Sequence, residues 1–505
     1  MADMHSAIPQ LQDYLEYSAR RLSDKIALVC GEKRYSYRTL DGRANGLAHT
    51  LVERGVSRGD RVIVFADNTV DAVVAFWGVL KANAIVSMVS PLTKADKLEY
   101  YLKDCRAAAL ITENHLQSVW REPASRSTWL KTIIVGPTDP ALSLEREASP
   151  ARRNIDIDLA SIIYTSGSTG DPKGVMLTHR NMLTAATSIT SYLENVEDDV
   201  ILGVLPLAFD YGLYQMIMAV RTGARLVLER SFAYPAQVLT AMVSEGVTGF
   251  PGVPTIFAVL AEMKTLGDYD FSKIRYVSNT AAALPVKHIT KLRELFPEAR
   301  IYSMYGLTEC KRCTYLPPAD IDRKPTSVGI AIPDTELWLV DEDDKRLGPN
   351  QVGQLVIRGA TVMRGYWEKP EATAKKLKPG PLPGEFVLYT GDFCRLDDEG
   401  YLYFVGRMDD IIKSRGEKVA PKEVENVLYN IKGVRDAAVI GVADDILGQA
   451  VKAFVVLEQG VALTTKDIQR ECQAKLEAFM VPKHVEIVPD LPKTTTGKIK
   501  KTDLK

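Results

Sequence analysis

Cysteine is scarce in this sequence: Cys30, Cys105, Cys310, Cys313, Cys394 and Cys472 are the only six in 505 residues. Six so widely scattered do not make a disulfide scaffold. Cys310-Lys311-Arg312-Cys313 has CxxC spacing, but no second ligand pair at matching spacing completes a zinc site. Reduced thiols in a cytoplasmic protein are therefore expected. Long apolar runs are also missing. With no stretch of ~18 apolar residues, no transmembrane helix is expected. Met1–Gln10 has no apolar h-region, so no secretory signal is expected either. Charge of one sign is lacking as well: 63 Lys and Arg stand against 64 Asp and Glu, for a formal net charge of −1. Without a long basic block, composition gives no support for nucleic acid as the main partner, and none is expected.

What is present is an ordinary globular composition, 46% hydrophobic and 25% charged. Hydrophobic cores stop growing near ~250–300 residues, so this length implies at least two domains. Arg61–Ala66 reads as a buried strand, Thr69–Leu80 as a helix with Val70, Val73, Val74 and Trp77 at helical spacing, and Ile85–Val89 as another strand. That order predicts a mainly parallel sheet with helical crossovers. Gln117–Pro150 is polar and proline-bearing, and its later part reads as a surface connection. Near residue 330 the pattern changes. Glu336–Val340 and Gly353–Arg358 read as antiparallel strands around a polar turn. After Arg407 a smaller unit begins, with Pro421 at a first helical position, strands at Ala437–Val442 and Ala450–Leu457, and a helix at Thr465–Ala478.

The densest chemical signal is Tyr164-Thr165-Ser166-Gly167-Ser168-Thr169-Gly170-Asp171-Pro172-Lys173-Gly174, directly after the strand reading of Ser161–Thr165. Glycines let a backbone approach an anion closely. Hydroxyls and backbone N–H groups can surround phosphate oxygens, and Lys173 adds charge. The Walker A pattern, Gly-x-x-x-x-Gly-Lys-Ser/Thr, is not met, because Asp171-Pro172 separates Gly170 from Lys173.

This segment resembles the phosphate loop of the adenylate-forming superfamily, which includes acyl- and aryl-CoA synthetases, peptide-synthetase adenylation domains and luciferases. Further segments match that superfamily in order: Ser278-Asn279-Thr280-Ala281-Ala282-Ala283-Leu284, Tyr305-Gly306-Leu307-Thr308-Glu309, Tyr389-Thr390-Gly391-Asp392, Gly406-Arg407-Met408-Asp409-Asp410-Ile411-Ile412-Lys413, and Pro492-Lys493-Thr494-Thr495-Thr496-Gly497-Lys498. The resemblance implies an α/β fold. A large N-terminal domain (1–408) would combine mixed sheets, helices and a distorted barrel-like β subdomain, followed by a small mobile α+β domain (409–505) hinged at Asp409. It implies AMP-forming ligation, in which ATP adenylates a carboxylic acid and the acyl group then passes to a thiol.

The same resemblance assigns roles. Thr165, Ser166, Gly167, Ser168, Thr169, Gly170 and Lys173 would hold phosphates. Ala281, Ala282, Tyr305 and Gly306 would line the adenine pocket, and Asp392 and Arg407 would hold the ribose. Thr308 would bond the α-phosphate and Glu309 would hold Mg²⁺, a hard cation suited to oxygen ligands. Lys498 would serve adenylation and Lys413 thiol transfer, on opposite sides of a rotating hinge. The acyl pocket would be lined by Asp210, Tyr211, Tyr214, Ser278, Thr280, Met304, Arg312 and Cys313.

In one place the pattern departs from acyl-CoA synthetases. Leu205-Pro206-Leu207-Ala208-Phe209-Asp210 lacks their histidine and carries a Phe-Asp pair similar to that of peptide-synthetase adenylation domains. A buried charge needs a partner. Either Asp210 binds a substrate amine, as in a stand-alone amino-acid adenylation enzyme, or Arg312 pairs with it and the acid is neutral or apolar. The thiol would belong to coenzyme A or to the phosphopantetheine of a separate carrier protein, since no carrier domain is expected before the end at Lys505. Nothing in the sequence supports a luciferase-like oxidation step.

Overall fold

The strand–helix–strand alternation produces two parallel sheets that share helices. The computed structural model describes residues 10–165, 171–263, 265–280, 284, 286–414, 417–444, 447–493 and 499–504, with the backbone alone of Lys287, Asp409, Lys413, Lys418 and Gly448. One sheet has seven strands: Arg61–Phe65, Ile85–Val89, Ala109–Glu113, Thr132–Gly136 and Leu159–Thr165 run parallel, and Lys173–Thr178 and Gly365–Tyr366 complete it antiparallel. The other has nine strands, with a parallel centre formed by Arg225–Leu228, Val200–Gly203, Gly249–Gly252, Tyr276–Asn279 and Arg300–Tyr305. Between the strands run helices whose starts are set locally. The Thr69 side chain accepts from the Ala72 N–H ahead of Val70–Lys81, and Thr178 forms a capping box with Asn181 ahead of His179–Tyr192. Val70–Lys81 buries Ala72–Lys81, with Trp77 wholly enclosed, which fits its place between sheets rather than on a surface.

One expectation about the larger domain needs correction. Gln117–Pro150 does not end only in a surface connection: it forms helix Gln117–Arg126 and the strand Thr132–Gly136, which pairs parallel with Ala109–Glu113. Its short apolar run, with Ile134 fully buried, sits at a sheet edge where one row of backbone groups needs no partner. The expected barrel-like β subdomain takes the form of a five-stranded antiparallel sheet built from Thr335–Val340, Val352–Gly359, Leu377–Pro379, Phe386–Leu396 and Leu402–Arg407. Among the described residues no pairing closes it.

The last part of the chain has its own sheet and its own apolar cluster. Val434–Asp444 and Gly448–Leu457 form a long antiparallel pair, flanked by Ile412–Ser414 and His484–Ile487. Helices Pro421–Tyr429 and Thr465–Gln473 cover it, the second ending earlier than its apolar spacing suggested. Ile412, Val419, Val424, Leu428, Val451 and Ile468 pack together, apart from the main core.

Candidate active site

The segment expected to hold phosphates springs from a β-hairpin. Thr165 pairs with Lys173 across Leu159–Thr165 and Lys173–Thr178, so the loop residues join two hydrogen-bonded strands. Ser166, Gly167, Ser168, Thr169 and Gly170 lie outside the described residues. At the stem the chain gathers three groups from distant positions. Tyr366 pairs with Val175, its hydroxyl donates to Glu309 Oε1 at 2.7 Å, and Lys173 Nζ lies 5.5 Å from the Tyr366 ring centroid. Burial, and next the Glu309 charge, push the Tyr366 phenol well above its ordinary pKa, so it stays a donor. Glu309 is also fixed through its backbone, whose carbonyl accepts from the Met363 N–H at 2.7 Å.

A second corner forms where Phe386–Leu396 pairs with Leu402–Arg407. Asp392 and Arg407 are direct cross-strand partners. The Asp392 carboxylate is 2% exposed, and its Oδ2 accepts a short hydrogen bond from the Tyr305 hydroxyl. Its Oδ1 lies 3.4 Å from Arg407 Nε but is buried without a hydrogen bond among the described residues. An acceptor left open in this way is a place for a ligand hydroxyl, since buried polar atoms are rarely left unmet. Burial raises the Asp392 pKa; Arg407 and then the Tyr305 hydroxyl oppose that shift.

Tyr305-Gly306-Leu307-Thr308-Glu309 leaves strand Arg300–Tyr305 and turns sharply back. The Cys313 N–H donates to the Tyr305 carbonyl at 2.9 Å, closing the turn. A Cβ at Gly306 would stand 2.0 Å from the Lys311 carbonyl oxygen, so only glycine fits this crossing. Lys311 holds φ at 67°, a conformation unusual for a side-chain-bearing residue. Cys310 and Cys313 are free thiols with sulfurs 3.0 Å apart, both fully buried.

The turn delivers two cations to Asp210, the first residue of helix Asp210–Thr222. Lys311 Nζ lies 2.7 Å from Oδ1, and Arg312 Nη1 lies 3.4 Å from Oδ2. Burial lowers the Lys311 pKa, and the Asp210 charge opposes the drop. The Arg312 guanidinium lies 4.6 Å from the Tyr211 ring centroid, and the Tyr211 hydroxyl contacts both Ser278 O and Ser278 Oγ at 2.7 Å. Thr280 and Met304 are buried nearby in sequence to these strand ends, and Met304 Sδ accepts from Tyr192. Asp210 therefore has its cations within the protein. Sequence reasoning named Arg312 but missed Lys311, the nearer partner, because a lysine in a turn normally reads as solvated. It also missed Tyr366, which no motif marks.

Ala281, Ala282 and Lys498 lie outside the described residues. The backbone of Lys413 is in strand Ile412–Ser414 and that of Asp409 in the turn Met408–Asp410, directly after the Arg407 strand. Among the described residues, one group could offer a metal three ligands, Asp67, Glu113 and His115. It is distinct from Glu309, and Arg230 already bonds Asp67 there. Among the described residues no helix is long and apolar enough to cross a membrane.

The model of a family described as AMP-binding enzyme matches residues 15–367, and that of the AMP-binding enzyme C-terminal domain matches 423–498. A long-chain-fatty-acid–CoA ligase of Bacillus subtilis (strain 168) is 31% identical over 527 aligned positions, covering 97% of this chain and 93% of the relative. The crystal structure of the anthranilate CoA ligase AuaEII in complex with anthranoyl-AMP superimposes with a TM-score of 0.91 at 28% identity, covering 100% of this chain and 98% of that one. ATP-bound MatB from Rhodopseudomonas palustris follows at 0.89 and 27%, covering 98% of each chain.

Proposed function

Because the chain belongs to the AMP-binding enzyme family and is an ATP-dependent, AMP-forming carboxylate ligase that transfers to coenzyme A, we propose how its residues divide that work. The observation that carries the assignment is the buried Asp392 carboxylate, cross-strand from Arg407, with Oδ1 open. It suits a ribose hydroxyl, and Arg407 beside it supplies a donor. Tyr305, held by its hydroxyl to Asp392, offers its ring to adenine. By resemblance to the family, Gly306 and, outside the described residues, Ala281 and Ala282 would also serve adenine.

In the first half-reaction a carboxylate oxygen attacks the α-phosphorus, and the bond to pyrophosphate breaks. Charge moves onto phosphate oxygens, so donors and cations preorganised around them lower the barrier. The 165–170 loop and Lys173 hold the phosphates, Thr308 bonds the α-phosphate, and Lys498 bridges it to the attacking carboxylate. Glu309, oriented by Tyr366, would hold Mg²⁺, which when bound neutralises phosphate charge. In the second half-reaction the thiol sulfur attacks the acyl carbonyl, AMP leaves, and the thiol proton is released. The small domain, 409–505, turns about Asp409 between the two, withdrawing Lys498 and presenting Lys413.

The test incubates the protein with Mg²⁺, ATP, coenzyme A and a panel of carboxylic acids. AMP, pyrophosphate and acyl-CoA in equal amounts are expected. ADP as the stoichiometric product refutes the assignment. Adenylate that accumulates and is discharged only by an added phosphopantetheine-bearing carrier protein moves the acceptor from coenzyme A to that partner.

A further inference from the structure

The Asp210 cluster does not balance. Lys311 and Arg312 are 1% and 4% exposed, and they share a single carboxylate. Lys311 takes the close position at 2.7 Å, leaving Arg312 Nη1 two contacts of 3.4 Å, one to Asp210 Oδ2 and one to the Lys311 carbonyl, both long for a charge-assisted hydrogen bond. The Arg312 Nε–H is buried with no hydrogen bond among the described residues, and so is the Tyr214 hydroxyl. Tyr214 lies one turn beyond Asp210 on the same helix, with the Lys311 ammonium 5.8 Å from its ring centroid. The charges of both Asp210 and Arg312 act on its hydroxyl. The cluster thus sets two basic side chains against one carboxylate and leaves two donors without a hydrogen bond among the described residues.

These side chains are fixed by their surroundings and lie close in sequence to Glu309. The tight crossing at Gly306 fixes the Lys311 backbone, Tyr211 packs under the guanidinium, and Lys311 and Arg312 follow Glu309 within three residues. A buried guanidinium that lacks a matched acceptor is costly unless something supplies one. Guanidinium groups match carboxylates well, because their donors form a planar fork.

We propose that the acid activated by this protein carries a second carboxylate at its far end, received by Arg312 and the Tyr214 hydroxyl, so that the enzyme selects dicarboxylic over monocarboxylic acids. This deepens the functional reading above and rests on it. Arg312 and Tyr214 become specificity residues, while Asp210 and Lys311 position Arg312.

The test measures pyrophosphate release with pairs of acids of equal carbon count, one α,ω-dicarboxylic and one monocarboxylic. For at least one chain length, kcat/KM should favour the dicarboxylate by about tenfold or more, the scale of one hydrogen bond to a charged group. Arg312→Met should collapse that ratio toward unity, and Arg312→Lys should restore part of it. Tyr214→Phe removes only a hydroxyl that has no hydrogen bond among the described residues, so it should fold normally and lower the ratio several-fold. A wild type that turns over monocarboxylates while ignoring every dicarboxylate overturns the inference and leaves the ligase reading standing, as does one that prefers amino acids. Arg312→Met and Tyr214→Phe variants that keep the wild-type ratio also overturn it. Failure of every acid to release pyrophosphate refutes the ligase reading itself, and the inference with it.

Discussion

Asp392→Asn separates what this carboxylate does for a nucleotide from what it does for the fold. The side chain is 2% exposed, one oxygen accepts from Tyr305, and the other has no hydrogen bond among the described residues. Burial holds its pKa above the ordinary carboxylate value despite Arg407. An acid whose pKa is higher folded than unfolded opposes folding while it is ionised in both states. That penalty is full above the folded pKa and is gone below the unfolded value of ~3.9. Asparagine can still accept from Tyr305 and carries no charge. The ligand-free variant should therefore melt at or above the wild-type temperature near neutral pH, with any gain shrinking as pH falls toward the ordinary carboxylate range. ATP should fare worse. A hydrogen bond to a charged group contributes about 1.5–3 kcal/mol, which corresponds to a roughly 10- to 150-fold rise in the ATP KM at about 1.4 kcal/mol per decade. The KM for the acid should change little. Thermal melts across pH, together with steady-state kinetics in each substrate, decide it. An unchanged ATP KM, or a lower melting temperature with equal loss for both substrates, would show that Asp392 is structural.

Gly306→Ala places a methyl group 2.0 Å from the Lys311 carbonyl and 3.0 Å from Arg312 Cα, both of them backbone. A loss of about 1–3 kcal/mol in stability is expected, with a higher KM for the acid as Arg312 shifts; a melt and acid kinetics identical to wild type contradict the turn geometry. Lys498→Ala should slow adenylation about 10²–10³-fold, the usual effect of removing one preorganised electrostatic contact, yet still convert supplied acyl-adenylate to thioester. Lys413→Ala should do the reverse, and equal loss in both half-reactions for either variant refutes rotation about Asp409.

Periodicity revealed the elements whose burial repeats over several turns or pairs. Val70–Lys81 and the antiparallel pair Thr335–Val340 and Val352–Gly359 fall where apolar spacing placed them. Thr132–Gly136 escaped because it is short, lies at an edge and is set in a polar stretch. For the site, ordered motifs named Asp392 and Arg407, but their contact depends on strand register with an irregularity at Phe393/Cys394, which residue spacing does not disclose. Lys311 and Tyr366 were illegible for another reason. A lysine in a turn and a tyrosine in a two-residue strand have nothing local to mark them, and only the fold brings Lys311 to Asp210 and Tyr366 to Glu309. The Asp210 question, amine or internal cation, could not be read from Phe209-Asp210 itself, because the answering side chain lies 101 residues away.

The central claim is that an acyl-adenylate forms before any thiol takes part, and exchange of labelled pyrophosphate into ATP tests it most directly. With Mg²⁺, ATP and a productive acid, but no coenzyme A, label should enter ATP at a rate that depends on the acid and falls sharply in Lys498→Ala. Exchange that needs coenzyme A, or label that never enters ATP while acyl-CoA still forms, contradicts the account.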